Sequence, residues 1–257
     1  MTYRRNKLKT AWDIVQRIEN WPAAFGLRLR KGHPGLRLLR FREGLNIVCR
    51  GATRDWDVIH ELLFAGGYGR AIEFLRQQGG QPLVLDLGGN IGLFSLMATS
   101  AHSGAQVYAY EPGPPNFRLF EMNRLANPAL TDRIHLRKEA VAGRTRTTEW
   151  CFDEANPGAS GLFATGGQKF QVQITAFSEV LSALPGPVAL AKIDIEGAEF
   201  ELLSATPAEV WQKIGAISLE LHTDPEGKFS QNEFLDRMKR YGFKAEEESV
   251  VSYFLHR

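Results

Sequence analysis

The amino-acid sequence predicts a doubly wound α/β fold: a mostly parallel sheet with helices on both faces and an antiparallel final pair of strands. Three observations carry this expectation. From residue 82 onward, short apolar runs alternate with stretches of helix length, the order that builds crossover units and a parallel sheet. Two of those runs, "PLVLDLGGNIGLFSL" at 82–96 and "LAKIDIEGAEFELL" at 190–203, are apolar strands that end in acids and then glycine. The last two strand-like runs, 243–249 and 250–257, adjoin too closely for a crossover, so they should pair antiparallel.

The elements follow in order. Residues 10–20 place Trp12, Val15 and Ile18 at helical spacing, and Trp21-Pro22 is expected to close that helix. Residues 27–51 alternate apolar and basic side chains around turn residues, which reads as two or three half-exposed antiparallel strands. Residues 55–77 look helical, with a break at Gly66-Gly67. Then come strand 82–88, helix 91–101, strand 105–111, and helix 115–126, whose leading prolines suit a first helical turn. Strand 133–141 is followed by "TRTTEWCFD" and "KFQVQITAF", which alternate like neighbouring strands or a hairpin. A short helix at 178–184 precedes strand 187–195, helices from 198 and near 207–214, strand 216–222 and helix 230–241. Residues 1–80 thus read as an N-terminal extension of helix, short strands and linker helix, and 81–257 as the ligand-binding domain.

Composition narrows the function classes. Of 257 residues, 44% are hydrophobic and 23% charged, the balance of an ordinary folded domain. No uncharged apolar run is long enough to span a membrane, and the basic N-terminus lacks the apolar core of a secretory signal. Cys49 and Cys151 are the only cysteines; they form neither a disulfide framework nor a zinc cage, and a cytoplasmic setting is expected. The net charge of +2 hides an asymmetry, because residues 1–54 carry thirteen Lys or Arg, including Arg4, Arg5, Lys31, Arg37 and Arg42, against Asp13, Glu19 and Glu43. That arm either packs on the acidic remainder or meets an anionic acceptor. Its few aromatic residues make a nucleic-acid platform unexpected.

In an open doubly wound sheet, ligands bind beyond the carboxyl ends of the strands. Asp86, Glu111, Glu139, Asp194 and the Glu220/His222 pair all fall there. In "DLGGNIG", Gly88, Gly89 and Gly92 allow a tight turn and close backbone approach, with Asn90 inside the loop. The spacing is not G-x-G-x-x-G and no Lys-Ser/Thr pair follows, so neither a dinucleotide pyrophosphate nor a Walker-type phosphate is the expected occupant. Asp86 before the glycines would repel phosphate and suits a cationic, phosphate-free nucleoside, S-adenosylmethionine. Glu111 is placed to accept both ribose hydroxyls, and Glu139 to accept from the adenine amino group. Tyr68, just ahead of the first core strand, either closes over the cofactor or packs the linker helix.

"VLDLGGNIGLFSL", "VYAYEP", "EAVAG" and above all "KIDIEGAEFELL" resemble the FkbM-type S-adenosylmethionine-dependent methyltransferases, from about Arg50 to about Gly242. The Asp-x-Glu-Gly-x-Glu hexad (Asp194, Glu196, Gly197, Glu199) is the specific part. The resemblance implies the class I methyltransferase (Rossmann-like) fold, with a seven-stranded sheet whose last strand is inserted antiparallel. It also implies O-methylation of hydroxyls on sugars, polyketides or other secondary metabolites. One departure stands out: "ITAFSEVL" has Phe177 and Ser178 where the family usually shows an acidic "TLDxLL", so a polar contact from that turn is expected to be missing.

For the chemistry, Asp194 and Glu196 lie two apart on an extended strand end and hence on one face. They are candidates to hold and deprotonate a substrate hydroxyl, unless they only cap the next helix. His222 is a candidate base oriented by a neighbouring carboxylate. Asp194, Glu196, Glu220 and His222 also offer hard ligands for a divalent metal, but no spacing demands one, and none is included. The glycine-rich loop 155–163, with Ser160, is a candidate lid. The expected partner is a small-molecule or carrier-bound hydroxylated substrate, with no nucleic acid and a homodimer as candidate assembly. A nicotinamide-dependent oxidoreductase and a non-catalytic nucleoside-binding scaffold are the alternatives.

Overall fold

A computed structural model describes residues 7–29, 34–152, 167–225 and 227–257. The chain opens with α1 (Lys7–Arg17) and α2 (Trp21–Leu29). Trp21-Pro22 therefore starts a second helix and does not merely end the first, as a proline in a first turn can do. The alternating basic stretch yields two strands, β1 (Leu36–Arg40) and β2 (Asn46–Arg50), paired antiparallel. The linker region splits into α3 (Asp55–Leu63) and α4 (Gly69–Arg76) at the glycine break.

The core follows as β3 (Leu83–Leu87), α5 (Leu93–Ala101), β4 (Gln106–Tyr110), α6 (Pro114–Leu125), α7 (Pro128–Thr131), β5 (Ile134–Arg137) and β6 (Ala140–Ala142). It continues with β7 (Arg146–Phe152), β8 (Gln168–Ala176), α8 (Phe177–Ala183), β9 (Val188–Ile193), α9 (Glu199–Ala205) and α10 (Ala208–Trp211). The chain closes with β10 (Ile214–Glu220), α11 (Gln231–Arg240), β11 (Lys244–Glu247) and β12 (Ser252–His256).

Seven strands form the main sheet in the order β11-β12-β10-β9-β3-β4-β5. The five from β10 to β5 run parallel, and β12 lies antiparallel between β10 and β11. The expected run 133–141 divides: its first half joins this sheet as β5, and its second half leaves as β6 to pair with β8 in a three-stranded auxiliary sheet, β6-β8-β7. Lys138 and Glu139 occupy the crossing between the sheets.

Alternation along the buried strands sends side chains to both faces. Leu85, Leu87, Ala191 and Ile193 pack one core with the auxiliary sheet and α8 to α11, while Val84, Val107 and Leu190 face the other with α5 and α6. Ile14, Ile18 and Leu39 of the N-terminal region belong to that second cluster, so the extension shares the core of the sheet. Buried asparagines fasten it there: Asn123 Nδ2 donates to the carbonyls of Val48 and Ile91, and Asn127 Nδ2 to that of Asn46. Phe177 is fully buried against the Trp211 ring, and the "ITAFSEVL" turn still makes polar contacts through Thr145, whose Oγ1 donates to Glu179 Oε2 at 2.7 Å and accepts from Ala176 N–H at 2.9 Å.

Among the described residues, no helix is long and apolar enough to cross a membrane.

Candidate active site

The sheet changes direction at β3, with β4 on one side and β9 on the other, and the site opens beyond the carboxyl ends of these strands. Two adjoining clefts lie there. One is bordered by Gly88, Glu111, Pro112, Ala140, Val141 and Trp150. The other, the larger of the two, is bordered by Glu61, Leu62, Tyr68, Ser218, Glu220 and Glu248. Asn90, Asp194 and Glu196 line both.

The glycine loop is required for closure as much as for a ligand. A Cβ on Gly88, whose φ is +77°, would sit 1.8 Å from the Asp194 carbonyl oxygen, and one on Gly92, at φ +89°, would sit 2.3 Å from the Phe120 ring. The loop thus folds onto α6 and the end of β9. Asn90, at φ 49°, turns its N–H onto Glu111 Oε2 at 2.8 Å, and Gly113 N–H donates to Oε1 at 2.8 Å. Burial pushes the Glu111 carboxyl up to about 7, against these two donors. With both oxygens oriented by the backbone, their remaining lone pairs are free for vicinal hydroxyls.

Asp86 lies behind the clefts and borders neither. It is fully buried on the α5 side of β3, accepts from Ser95 Oγ at 2.6 Å, and has Lys192 Nζ at 3.7 Å. Burial raises its pKa, opposed by Lys192 and Ser95. Its charge reaches a ligand only through the loop, because strand alternation turns its side chain away from the rim.

Lys192 is the residue the sequence analysis passed over. It is 3% exposed inside β9, donates to the Gly88 carbonyl at 2.6 Å and the Leu87 carbonyl at 3.2 Å, and pairs with Asp194 Oδ2 at 3.3 Å. Burial works against its charge, but Asp194 and Asp86 outweigh that and hold its pKa above the ordinary lysine range. A lone lysine in an apolar strand flanked by two acidic strand ends was the available signal.

Asp194 and Glu196 are brought together, though not by strand alternation. β9 stops at Ile193, and Glu196 (φ 54°) and Gly197 (φ 99°) form a left-handed turn. Glu199 locks that turn: wholly buried, it accepts from Ile195 N–H at 3.1 Å and Gly197 N–H at 2.9 Å. No side chain caps α9, so helix capping does not explain Asp194 or Glu196. Glu199 also meets His222 Nδ1 at 3.0 Å, while His222 Nε2 stands 3.4 Å from Glu196 and 3.9 Å from Glu220.

The electrostatics of this group are those of a proton store. Burial, then the charges of Asp194, Glu220 and Glu199, push Glu196 up to about 8. Burial and Asp194 push Glu220 to about 7. Burial disfavours a charged His222, but the Glu199 hydrogen bond and the nearby carboxylates prevail and raise it to about 9. One ligand atom each from Asp194, Glu220 and His222 also lies within 4.8 Å of the others, near enough to grip a divalent ion.

Of the two remaining expected residues, one stands away from the clefts and one lines the larger. Glu139 borders neither cleft and accepts from Thr175 Oγ1 at 2.6 Å, at the crossing between sheets. Tyr68 lines the larger cleft with its ring edge-on to Phe94, centroids 5.1 Å apart. The loop 155–163 with Ser160, and Arg4, Arg5 and Lys31 of the basic arm, lie outside the described residues.

A cleft with a carboxylate at the second strand's end, and no Lys or Arg among its described lining residues, fits a cationic donor without phosphate. With the sheet order, these features define a class I S-adenosylmethionine-dependent methyltransferase, and S-adenosylmethionine is its cofactor. A family model described as "Methyltransferase FkbM domain" matches residues 86–245, and the chain belongs to that family. It is 28% identical over 189 residues to Methyltransferase 1 of Beauveria bassiana (strain ARSEF 2860), covering 63% of this chain and 73% of the relative. It is 23% identical over 199 residues to the 31-O-demethyl-FK506 methyltransferase FkbM of Streptomyces tacrolimicus, covering 66% and 76%. Among solved structures, the SAM-dependent methyltransferase from Agrobacterium tumefaciens shares the fold with a TM-score of 0.50 and 12% identity, over 87% of this chain and 70% of that one.

Proposed function

We propose that this methyltransferase is an O-methyltransferase acting on a hydroxyl of a sugar, polyketide or related secondary-metabolite acceptor, small or carrier-bound. The observation that carries this reading is the wall shared by the two clefts: Asn90, Asp194 and Glu196 border both. When bound, S-adenosylmethionine supplies an electrophilic methyl group on a sulfonium. In this reading the smaller cleft takes the donor, with Glu111 accepting from the ribose hydroxyls. The larger cleft takes the acceptor, and its hydroxyl meets the donor at the shared wall.

Asp194 and Glu196 hold that hydroxyl in line with the methyl group, and positioning of this kind accounts for much of the rate in a two-substrate transfer. The proton leaving the hydroxyl passes to the Glu196–His222 pair, whose Oε2 and Nε2 atoms stand 3.4 Å apart, once that pair has shed a proton. No divalent ion is included, since no spacing in the sequence demands one and Lys192 Nζ already stands 3.3 Å from Asp194 Oδ2. The name of the Streptomyces tacrolimicus relative, which specifies an O-demethyl substrate, supports hydroxyl chemistry here. Residues 1–80 then serve as an extension that helps wall the acceptor cleft, through Glu61, Leu62 and Tyr68, and 81–257 as the donor-binding domain. The buried, unpaired thiols of Cys49 and Cys151 support a reducing, cytoplasmic setting.

The test is turnover of methyl-labelled S-adenosylmethionine against a panel of hydroxylated sugars and polyketides, with the product methyl located by mass spectrometry. A methyl ether is expected. Methyl found only on nitrogen or carbon overturns the reading.

A further inference from the structure

Trp150, on β7 of the auxiliary sheet, is 7% exposed, and its indole Nε1 is buried without a hydrogen-bond partner among the described residues. A buried donor left without an acceptor is costly, so native structures seldom keep one without a reason. Two facts point to the reason. Trp150 borders the donor cleft beside Glu111 and Pro112. Its Nε1 and Glu111 Oε1 also flank one notch: a Cβ added to Gly113 would lie 3.6 Å from the first and 2.9 Å from the second. The two groups are not bonded to each other: Trp150 Nε1 has no partner among the described residues, and Glu111 accepts from the Asn90 and Gly113 amides.

A donor and an acceptor facing one notch suit a hydroxyl group, which gives its proton to the carboxylate and receives the indole proton on its oxygen. Trp211 offers an internal contrast. Its Nε1 is also unpaired, but its ring is fully buried between Phe177 and Tyr241 and borders neither cleft. We propose that Trp150 is a nucleoside-binding residue whose indole N–H donates to the ribose hydroxyl accepted by Glu111. The auxiliary sheet would then read the donor directly, a role that the main-sheet rim alone does not fill. This rests on Glu111 being the ribose ligand.

The test is calorimetric titration of S-adenosylhomocysteine and its 2′-deoxy and 3′-deoxy analogues into wild type, Trp150→Phe, Trp211→Phe and Glu111→Gln. Trp150→Phe should bind the parent nucleoside roughly tenfold more weakly, and that loss should vanish for the one analogue lacking the partner hydroxyl. Trp211→Phe should bind like wild type. Unchanged affinity in Trp150→Phe, or an equal loss with parent and both analogues, overturns the proposal. Full affinity in Glu111→Gln would instead overturn the ribose assignment beneath it.

Should Trp150→Phe not fold, ¹⁵N-indole spectra of the wild type decide. The Trp150 resonance, assigned by substituting the other four of the five tryptophans, must shift on adding S-adenosylhomocysteine and shift less with one deoxy analogue. An unmoved resonance rejects the assignment.

Discussion

Glu111 and Glu196 are both carboxylates at the rim of one sheet, and both are pushed upward by burial, yet their surroundings prepare them for opposite tasks. Around Glu111 the neighbours are backbone donors, the Asn90 and Gly113 amides, which hold both oxygens and oppose the rise. Around Glu196 they are other acids, Asp194, Glu220 and Glu199, which add to it, with His222 the close counter-charge among the described residues. A carboxylate pinned by N–H groups is an acceptor set in place. A carboxylate crowded by carboxylates retains a proton and can trade it. In the proposed function the cleft at Glu111 takes the donor and the cleft at Glu220 the acceptor, and Asn90, Asp194 and Glu196 wall both.

The largest expected effect comes from removing that wall's support. Lys192→Met should lower the unfolding free energy by about 3–5 kcal/mol, because Asp86 and Asp194 would lose their buried counter-charge. A urea midpoint equal to wild type would show that Lys192 is dispensable and the shared wall self-supporting. Next, Asp194→Asn should reduce turnover at least ~10²-fold with little change in donor affinity, as expected for loss of a group that holds and helps deprotonate the hydroxyl. Near-normal turnover would make the residue architectural.

A smaller change separates the two carboxylates by pH. Donor affinity should fall on acidification through about 7, since protonated Glu111 loses the lone pairs that receive ribose hydroxyls. Affinity that is flat across this range breaks the contrast. Smallest is Glu199→Gln. Wild-type turnover should rise with pH as the Glu196–His222 pair sheds protons near 8 to 9. The variant removes the carboxylate that holds His222 high, so the upper inflection should move toward lower pH. An unmoved inflection would assign that titration to another group.

Much of this was legible in the chain. The strand–helix alternation foretold the parallel sheet, and acids after apolar strands located its rim. Asp194, Glu196 and His222 do converge, as their positions at neighbouring strand ends suggested. Besides Lys192, three details escaped. Asp86 was read as facing a ligand, but its strand face turns it inward toward Ser95. Glu139 was read as a strand end pointing at adenine, yet the strand leaves the main sheet there, and Thr175 takes up the carboxylate. Glu199 was quoted only as part of a motif, because nothing local shows that it reaches back to Ile195 and Gly197 and across to His222.

The sequence by itself determined the class of fold, the family and the rim of the sheet where chemistry belongs, because hydrophobic period, glycine turns and acidic strand ends are local properties of the chain. Tertiary structure alone decided which acid faces a ligand, which faces a lysine and which faces another acid. Those neighbours come from strands and loops distant in the chain, and the charge state of a buried carboxylate depends on what folding sets beside it.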